Sequence, residues 1–172
     1  MNNDELIIKI PSLKDENVVM EYRKECLDYG IPKSVGFSLK KHDNYLSWYN
    51  ETQEKLKKDD IQTTYLVFRK KDNVLVGLLT IRHSLNSPEL KKYSGHIGYS
   101  VRPSERRKGY ASQMLKMGLD ICKKLKIKDV LLICGEDNIA SQKCIVKNGG
   151  ILTKRVPLDD GVIQLRFNIS IK

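Results

Sequence analysis

Arg106-Arg107-Lys108-Gly109-Tyr110-Ala111 joins three cations to a glycine at the start of a helical pattern. The first turn of an α-helix exposes N–H groups without intrahelical acceptors, and the helix dipole adds positive potential there. Gly109 has no side chain to hold a phosphate away from the backbone. The run reads as a pyrophosphate cradle, with Arg106, Arg107 and Lys108 at its rim and the N–H groups of residues 107–111 as its floor. The competing reading of the three cations is a solvated turn. Two titratable residues outside this run are candidate proton acceptors, His96 on the strand before it and Glu136 just past the next strand. Imidazole titrates near neutrality, so His96 could act as a general base. Glu136 could do so through a water. A half-buried strand residue is the plainer role for His96. Asn138 and Ser141 open a short helical pattern, where either side chain can act as a cap.

Such a cradle needs a strand before it and a helix behind it. Ile97-Gly98-Tyr99-Ser100-Val101 is the strand; alternation places His96, Gly98 and Ser100 on one face and Ile97, Tyr99 and Val101 on the other. From Gly109 onward, Ala111, Met114, Leu115, Gly118, Leu119, Cys122 and Leu125 recur at helical spacing. Residues 128–134 are nearly all apolar, which predicts a strand buried on both faces. Residues 141–148 predict a short helix stopped by Gly149-Gly150. Strands follow over 151–156 and 162–169, joined by the turn Leu158-Asp159-Asp160-Gly161.

Upstream, residues 6–10 form a strand closed by Pro11. A helix capped by Ser12 or Asp15 runs to Tyr29. Residues 31–41 read as loop, and 43–58 as a helix with Tyr45, Leu46, Trp48, Tyr49 and Leu56 on its apolar side. A hairpin pairs 63–69 with 74–82 around Asp72-Asn73. Asn86-Ser87-Pro88 marks a loop, and 93–101 the strand leading to the cradle. The order β-α-α-β-β-β-α-β-α-β-β predicts an α/β (α+β) fold of three layers, a sheet flanked by helices.

The cradle run resembles the acetyl-CoA loop of the GNAT superfamily of N-acetyltransferases, Arg/Gln-x-x-Gly-x-Gly/Ala, with Ala111 in the last place. Asn138-Ile139-Ala140-Ser141, followed by Lys147-Asn148-Gly149, resembles that family's Asn-x-x-Ser/Ala and Lys-x-Gly block. The two blocks stand in family order and spacing. The resemblance runs from about residue 95 to residue 150, and by element order over the whole chain. It implies the acyl-CoA N-acyltransferase fold: a mixed, mostly antiparallel sheet, splayed between the strand ending at Val101 and the one ending near Cys134. It implies acetyl-CoA as co-substrate, with the backbone of Tyr99 and Val101 on the pantetheine arm, the pyrophosphate on Arg106, Arg107, Lys108, Gly109, Tyr110 and Ala111, and Asn138 and Ser141 beside the arm. It further implies N-acetyl transfer to a primary amine by direct attack, with His96 or Glu136 as base. Many relatives carry a tyrosine seven residues after the asparagine to protonate the departing thiolate; this chain has Ile145 there. The alternative is a non-catalytic acetyl-CoA-binding or regulatory module. In the family the early helices border the acceptor groove, so Trp48 is either core or pocket wall.

Composition narrows the classes. The length of 172 residues fits a single domain over 1–172. The net charge is +10, but it is spread through pairs such as Lys57-Lys58 and Lys123-Lys124, with no recognition motif for nucleic acid. Diffuse positive charge suits a ligand with several phosphates. Four cysteines, at 26, 122, 134 and 144, form no C-x-x-C and read as reduced, buried thiols, with Cys134 nearest the split. His42, His83 and His96 lie beside none of them at ligand spacing, so no metal is expected. No apolar run is long enough to span a membrane, and the start, Met1-Asn2-Asn3-Asp4-Glu5, is polar; a cytoplasmic setting is expected. The expected partner is a small-molecule or protein amine, without specific nucleic acid or membrane, and a homodimer stays open.

Overall fold

The computed structural model describes residues 4–30, 38–57 and 61–171. β1 (Leu6–Lys9), β2 (Gln62–Arg69), β3 (Val74–Arg82) and β4 (Ile97–Val101) form one sheet in that order. β5 (Asp129–Gly135), β7 (Ile163–Ser170) and β6 (Ile151–Pro157) form a second, in the order β5-β7-β6. Each named ladder is antiparallel. Among the described residues five α-helices flank them: α1 (Glu16–Asp28), α2 (Tyr45–Lys55), α3 (Pro88–Tyr93), α4 (Tyr110–Lys124) and α5 (Ile139–Lys147).

The expected splay is present as a neck between the two sheets. Gly95 bridges Leu132, and the His96 N–H donates to the Leu131 carbonyl at 2.8 Å. Among the described residues no ladder joins β4 to β5 beyond that point. Gly95 has φ +67, and a Cβ there would lie 2.5 Å from the Leu131 carbonyl oxygen, so only glycine lets the strands come this close.

Strand alternation divides the apolar residues between two cores. On β2, Val67 packs with Met114, Leu115 and Cys122 of α4, while Leu66 and Phe68 pack with Tyr22, Tyr45 and Trp48 of α1 and α2. Both cores are shut off from water, which places the sheet between helical layers. Trp48 is wholly buried and its Nε1–H donates to the Ser38 hydroxyl at 3.2 Å, so it is core. Leu46, expected on the same face, is 56% exposed.

Three other local expectations change. Residues 86–88 initiate α3: the Ser87 hydroxyl accepts the Leu90 N–H at 3.2 Å, and Pro88 takes the first helical position, where its missing N–H costs nothing. Tyr93 therefore ends a helix instead of beginning a strand, and β4 starts at Ile97. β5 alternates, with Val130, Leu132 and Cys134 buried and Leu131 and Ile133 only half-buried, because the second sheet has its main core on one face. Residues 31–37 and Lys58, expected as loop and helix end, lie outside the described residues.

A polar network fastens the loop before α4 to the β2–β3 hairpin. Buried Glu105 accepts from Arg69 Nη1 at 2.7 Å and from Lys108 Nζ at 2.9 Å. The same Arg69 nitrogen donates to the Tyr110 hydroxyl at 2.9 Å, and that hydroxyl donates to Asp4 at 2.6 Å. Arg69 also grips Asp72 with two bonds of 2.8 Å. Its pKa is raised by these acceptors, Asp72 first. Removing the charge of Glu105 leaves two cations without their shared partner. Glu105→Gln is expected to destabilise the fold by about 1–3 kcal/mol, read as a lower urea midpoint with an unchanged slope.

Candidate active-site cleft

Where β4 and β5 part, a cleft of about 990 Å³ opens. Its β4 wall is Tyr99, Ser100 and Val101; its far wall is the start of α5, with Asn138, Ala140, Ser141 and Cys144. Gly109, Ala111 and Ser112, at the N-terminus of α4, close one end, and Tyr22 and Cys26 of α1 cover another side.

The α4 end has the form of an anion seat. Gly109 caps the helix with φ 86 and ψ 0, a left-handed conformation, and a Cβ placed there would meet nothing within 4 Å. The open space before the first free N–H groups is therefore guarded only by a hydrogen atom. Arg107 is also left-handed at φ 61, so the chain bends tightly into the helix. Arg106 and Arg107 line the cleft. The Arg106 guanidinium stacks 4.9 Å from the centre of the Tyr29 ring, and its Nε–H donates to the Val101 carbonyl at 3.4 Å.

The other cradle residues have different work. Lys108 does not line the cleft; its ammonium binds Glu105. Tyr110 is buried, with its hydroxyl in the Arg69 network. Asn138 caps α5, its Oδ1 accepting the Ser141 N–H at 3.1 Å, and it lines the cleft as well.

Across the middle of the cleft the Tyr99 hydroxyl meets the Ser141 hydroxyl at 2.9 Å. Burial pushes the Tyr99 phenol well above its ordinary value, so it stays protonated. On the α1 side, the Tyr22 hydroxyl meets the Ser100 hydroxyl at 2.8 Å, and burial raises this phenol too. Cys26 and Cys144 face the cleft, whereas Cys134, expected nearest the split, does not line it. Burial raises the pKa of all three thiols. Ile145 lies in the core, 1% exposed, against Gly150.

Neither candidate base lines the cleft. His96 belongs to the neck: its Nδ1 accepts the Leu131 N–H at 3.0 Å. That bond puts the ring proton of neutral imidazole on Nε2. Its pKa is lowered by burial and then by Arg82. The Glu136 carboxylate is bound by Arg155 and borders a separate hollow with Asp137 and Gly161.

Sequence reasoning missed Tyr22, Cys26 and Cys144 as wall residues. Helical spacing held a signal for each of them, since Tyr22 and Cys26 are four apart and Cys144 is three from Ser141. No local signal announces that α1 covers the cleft.

Residues 5–151 match the family model described as the acetyltransferase (GNAT) domain. The chain belongs to the GNAT acetyltransferase family. No curated protein matches it. Solved structures similar to this GNAT chain include the microcin C7 self-immunity acetyltransferase MccE in complex with acetyl-CoA and AMP (18% identity, 98% of this chain and 94% of that one, TM-score 0.74). An acetyltransferase from Salmonella typhimurium that modifies the N-terminal serine of a 50S ribosomal subunit protein is 16% identical over 97% of this chain and 95% of its own, with TM-score 0.73. A GNAT-family acetyltransferase from Bacillus anthracis is 18% identical over 98% and 96%, with TM-score 0.68. These likenesses carry the fold. The cleft of this GNAT chain fits a coenzyme A-type group on its own geometry: an unguarded helix N-terminus, two arginines at the rim, and open strand edges for amide partners.

Two outcomes follow from the site. Gly109→Ile adds left-handed strain and fills the anion seat, so acetyl-CoA affinity is expected to fall at least about tenfold, measured by calorimetric titration. For His96, the lowered pKa means that the unfolded chain binds the proton first. Stability is therefore full above the ordinary value of 6.5 and falls as pH drops below it toward the folded value. A protonated ring also cannot accept the Leu131 N–H. His96→Ala is expected to lose stability at neutral pH and to flatten that acid slope, measured by urea unfolding between about pH 5 and pH 8.

Proposed function

We propose that the protein transfers the acetyl group of acetyl-CoA to a primary amine by direct attack, within the cytoplasm. The observation that carries this reading is the cleft itself: an open anion seat at Gly109 continuous with the parted edge of β4 and the Tyr99–Ser141 hydroxyl pair. The pyrophosphate sits on the N–H groups at the start of α4, with Arg106 and Arg107 beside it. The pantetheine arm takes backbone groups of Tyr99 and Val101, and Asn138 and Ser141 stand on its other side. Acetyl-CoA supplies the activated thioester. Holding amine and thioester together provides much of the gain in rate.

The hydroxyl pair supports the second half of the reaction. Tyr99 and Ser141 are protonated donors in a partly dry site, suited to stabilising negative charge on the thioester oxygen or on the leaving sulfur. They take the role that a side chain at Ile145 cannot. The amine's proton leaves through water, since His96 and Glu136 are engaged elsewhere.

Direct attack is favoured over an acetyl-thiol intermediate because buried thiols with raised pKa values are poor nucleophiles. An amine panel with detection of released thiol tests the reading. Turnover with at least one primary amine is expected, and Cys144→Ala should retain most of it. Mass spectrometry after a single turnover without acceptor should show no acetylated protein. Tight acetyl-CoA binding with no turnover on any amine would leave a binding module, and an acetyl-cysteine would overturn direct attack.

A further inference from the structure

The sheet face opposite α4 carries two arginines that the proposed transfer does not use. Arg82 ends β3, and its Nη1 lies 3.7 Å from where a Cβ on Gly98 would stand. Thr80 is the cross-strand partner of Gly98 and sits 3.9 Å from the same point, so the guanidinium spreads over the Gly98 face of the sheet. Alternation puts Ser100 on that face too. Ser100 lines the cleft and meets Tyr22 there. Arg82 thus lies over β4 one pleat repeat from Ser100, just beyond the residues that line the cleft.

Arg166 comes to the same side from the second sheet. Val130, Leu132, Cys134, Leu165 and Phe167 turn toward α4. Their neighbours Ile133 and Arg166, which are paired across β5 and β7, turn the other way. The two arginines therefore stand on opposite banks of the split.

Neither has an acidic partner among the described residues. Arg82 Nη1 donates to the Gly95 carbonyl at 3.2 Å, and Arg166 Nη2 to the Lys92 carbonyl at 3.3 Å. The Nε of each is buried without an acceptor, and Gln164 Oε1, two residues before Arg166 on β7, is buried without a donor. Burial pulls the pKa of Arg82 down, yet a guanidinium stays charged in a protein. An uncompensated cation taken out of water, as Arg82 is, is costly. Arg69, whose side chain is 11% exposed, has two carboxylates. The fork of an arginine matches a carboxylate or phosphate.

Resting on the acetyl-transfer reading, we infer that this face seats an anionic group of the acceptor, held by Arg82 with Arg166 opposite, so that the preferred amines carry a carboxylate or phosphate about 7 Å from the reacting nitrogen, one pleat repeat. The nitrogen sits near Ser100, the anion near Gly98. Bound there, the anion occupies the free guanidinium donors and fixes the amine's line of approach. A dication is repelled.

The test compares three amines of one length, 6-aminohexanoate, hexylamine and 1,6-diaminohexane, on the unaltered protein with saturating acetyl-CoA. The acid is expected to lead in kcat/KM by at least about tenfold, the worth of one charge-assisted contact. Equal or better turnover of the neutral or doubly charged amine overturns the inference. Arg82→Gln and Arg166→Ala should each lower kcat/KM for the acid far more than for hexylamine, mainly through KM, with acetyl-CoA affinity as the check on folding. A uniform loss over all three amines overturns the assignment of those residues. C-terminally amidated Gly-Glu and Gly-Lys separate the sources: an acid preference in the dipeptides as well assigns a peptide terminus, and in 6-aminohexanoate alone a small acid. If no amine is turned over, the transfer reading fails by itself. Calorimetry of the CoA-saturated protein with 6-acetamidohexanoate against N-hexylacetamide then reads the seat directly. Tighter binding of the acid upholds it, and equal binding overturns it.

Discussion

The site depends on how two strands stop pairing without leaving buried amides unsatisfied. At the neck the His96 N–H reaches the Leu131 carbonyl, while the Leu131 N–H is taken by the imidazole Nδ1 instead of a backbone carbonyl. A side chain that replaces the next ladder acceptor lets β4 and β5 diverge at once. Gly95 permits the close approach just before the divergence. Everything chemical lies downstream of this point: the bare edge of β4, the hydroxyls of Tyr99 and Ser100 on its two faces, and room for α4 to aim its first turn into the gap. His96 is thus central to the site through the shape of the sheet.

The cradle also shows how charge is divided between holding and binding. Of its three cations, Lys108 goes to Glu105, beneath the loop, while Arg106 and Arg107 face the cleft. Glu105, Arg69, Tyr110 and Asp4 form a continuous network, with Glu105 and Tyr110 buried. It ties the loop to the β2–β3 hairpin, so the helix N-terminus is held by the first sheet while α5 rides on the second. A phosphate seat made of backbone gains selectivity from such rigidity, because N–H groups cannot adjust as side chains can.

Ile145 illustrates the limit of transferring a role by position. It packs against Gly150 in the core. One turn earlier, Ser141 meets a tyrosine from the opposite wall, so a protonated hydroxyl pair stands in the cleft without a tyrosine on α5. The chemistry of a donor is set by where its oxygen lies, and two elements far apart in sequence supply it here.

Much of this protein was legible in order. The strand–loop–helix around Gly109 was visible because glycine, cations and a helical period have local physical meanings, and so was the Asn138–Ser141 helix start. Strand alternation correctly separated Tyr99 from Ser100. The missing helix at Pro88 came from reading Asn86-Ser87-Pro88 as a loop, although Ser-Pro is also a helix start. Other features had no local sign. Whether Glu136 or His96 reaches the cleft, which thiol faces it, and which arginine lacks a carboxylate depend on contacts between residues tens of positions apart. Periodicity tells which face of an element is buried; only the packing of one element against another decides what that face touches, and hence which buried charges have partners.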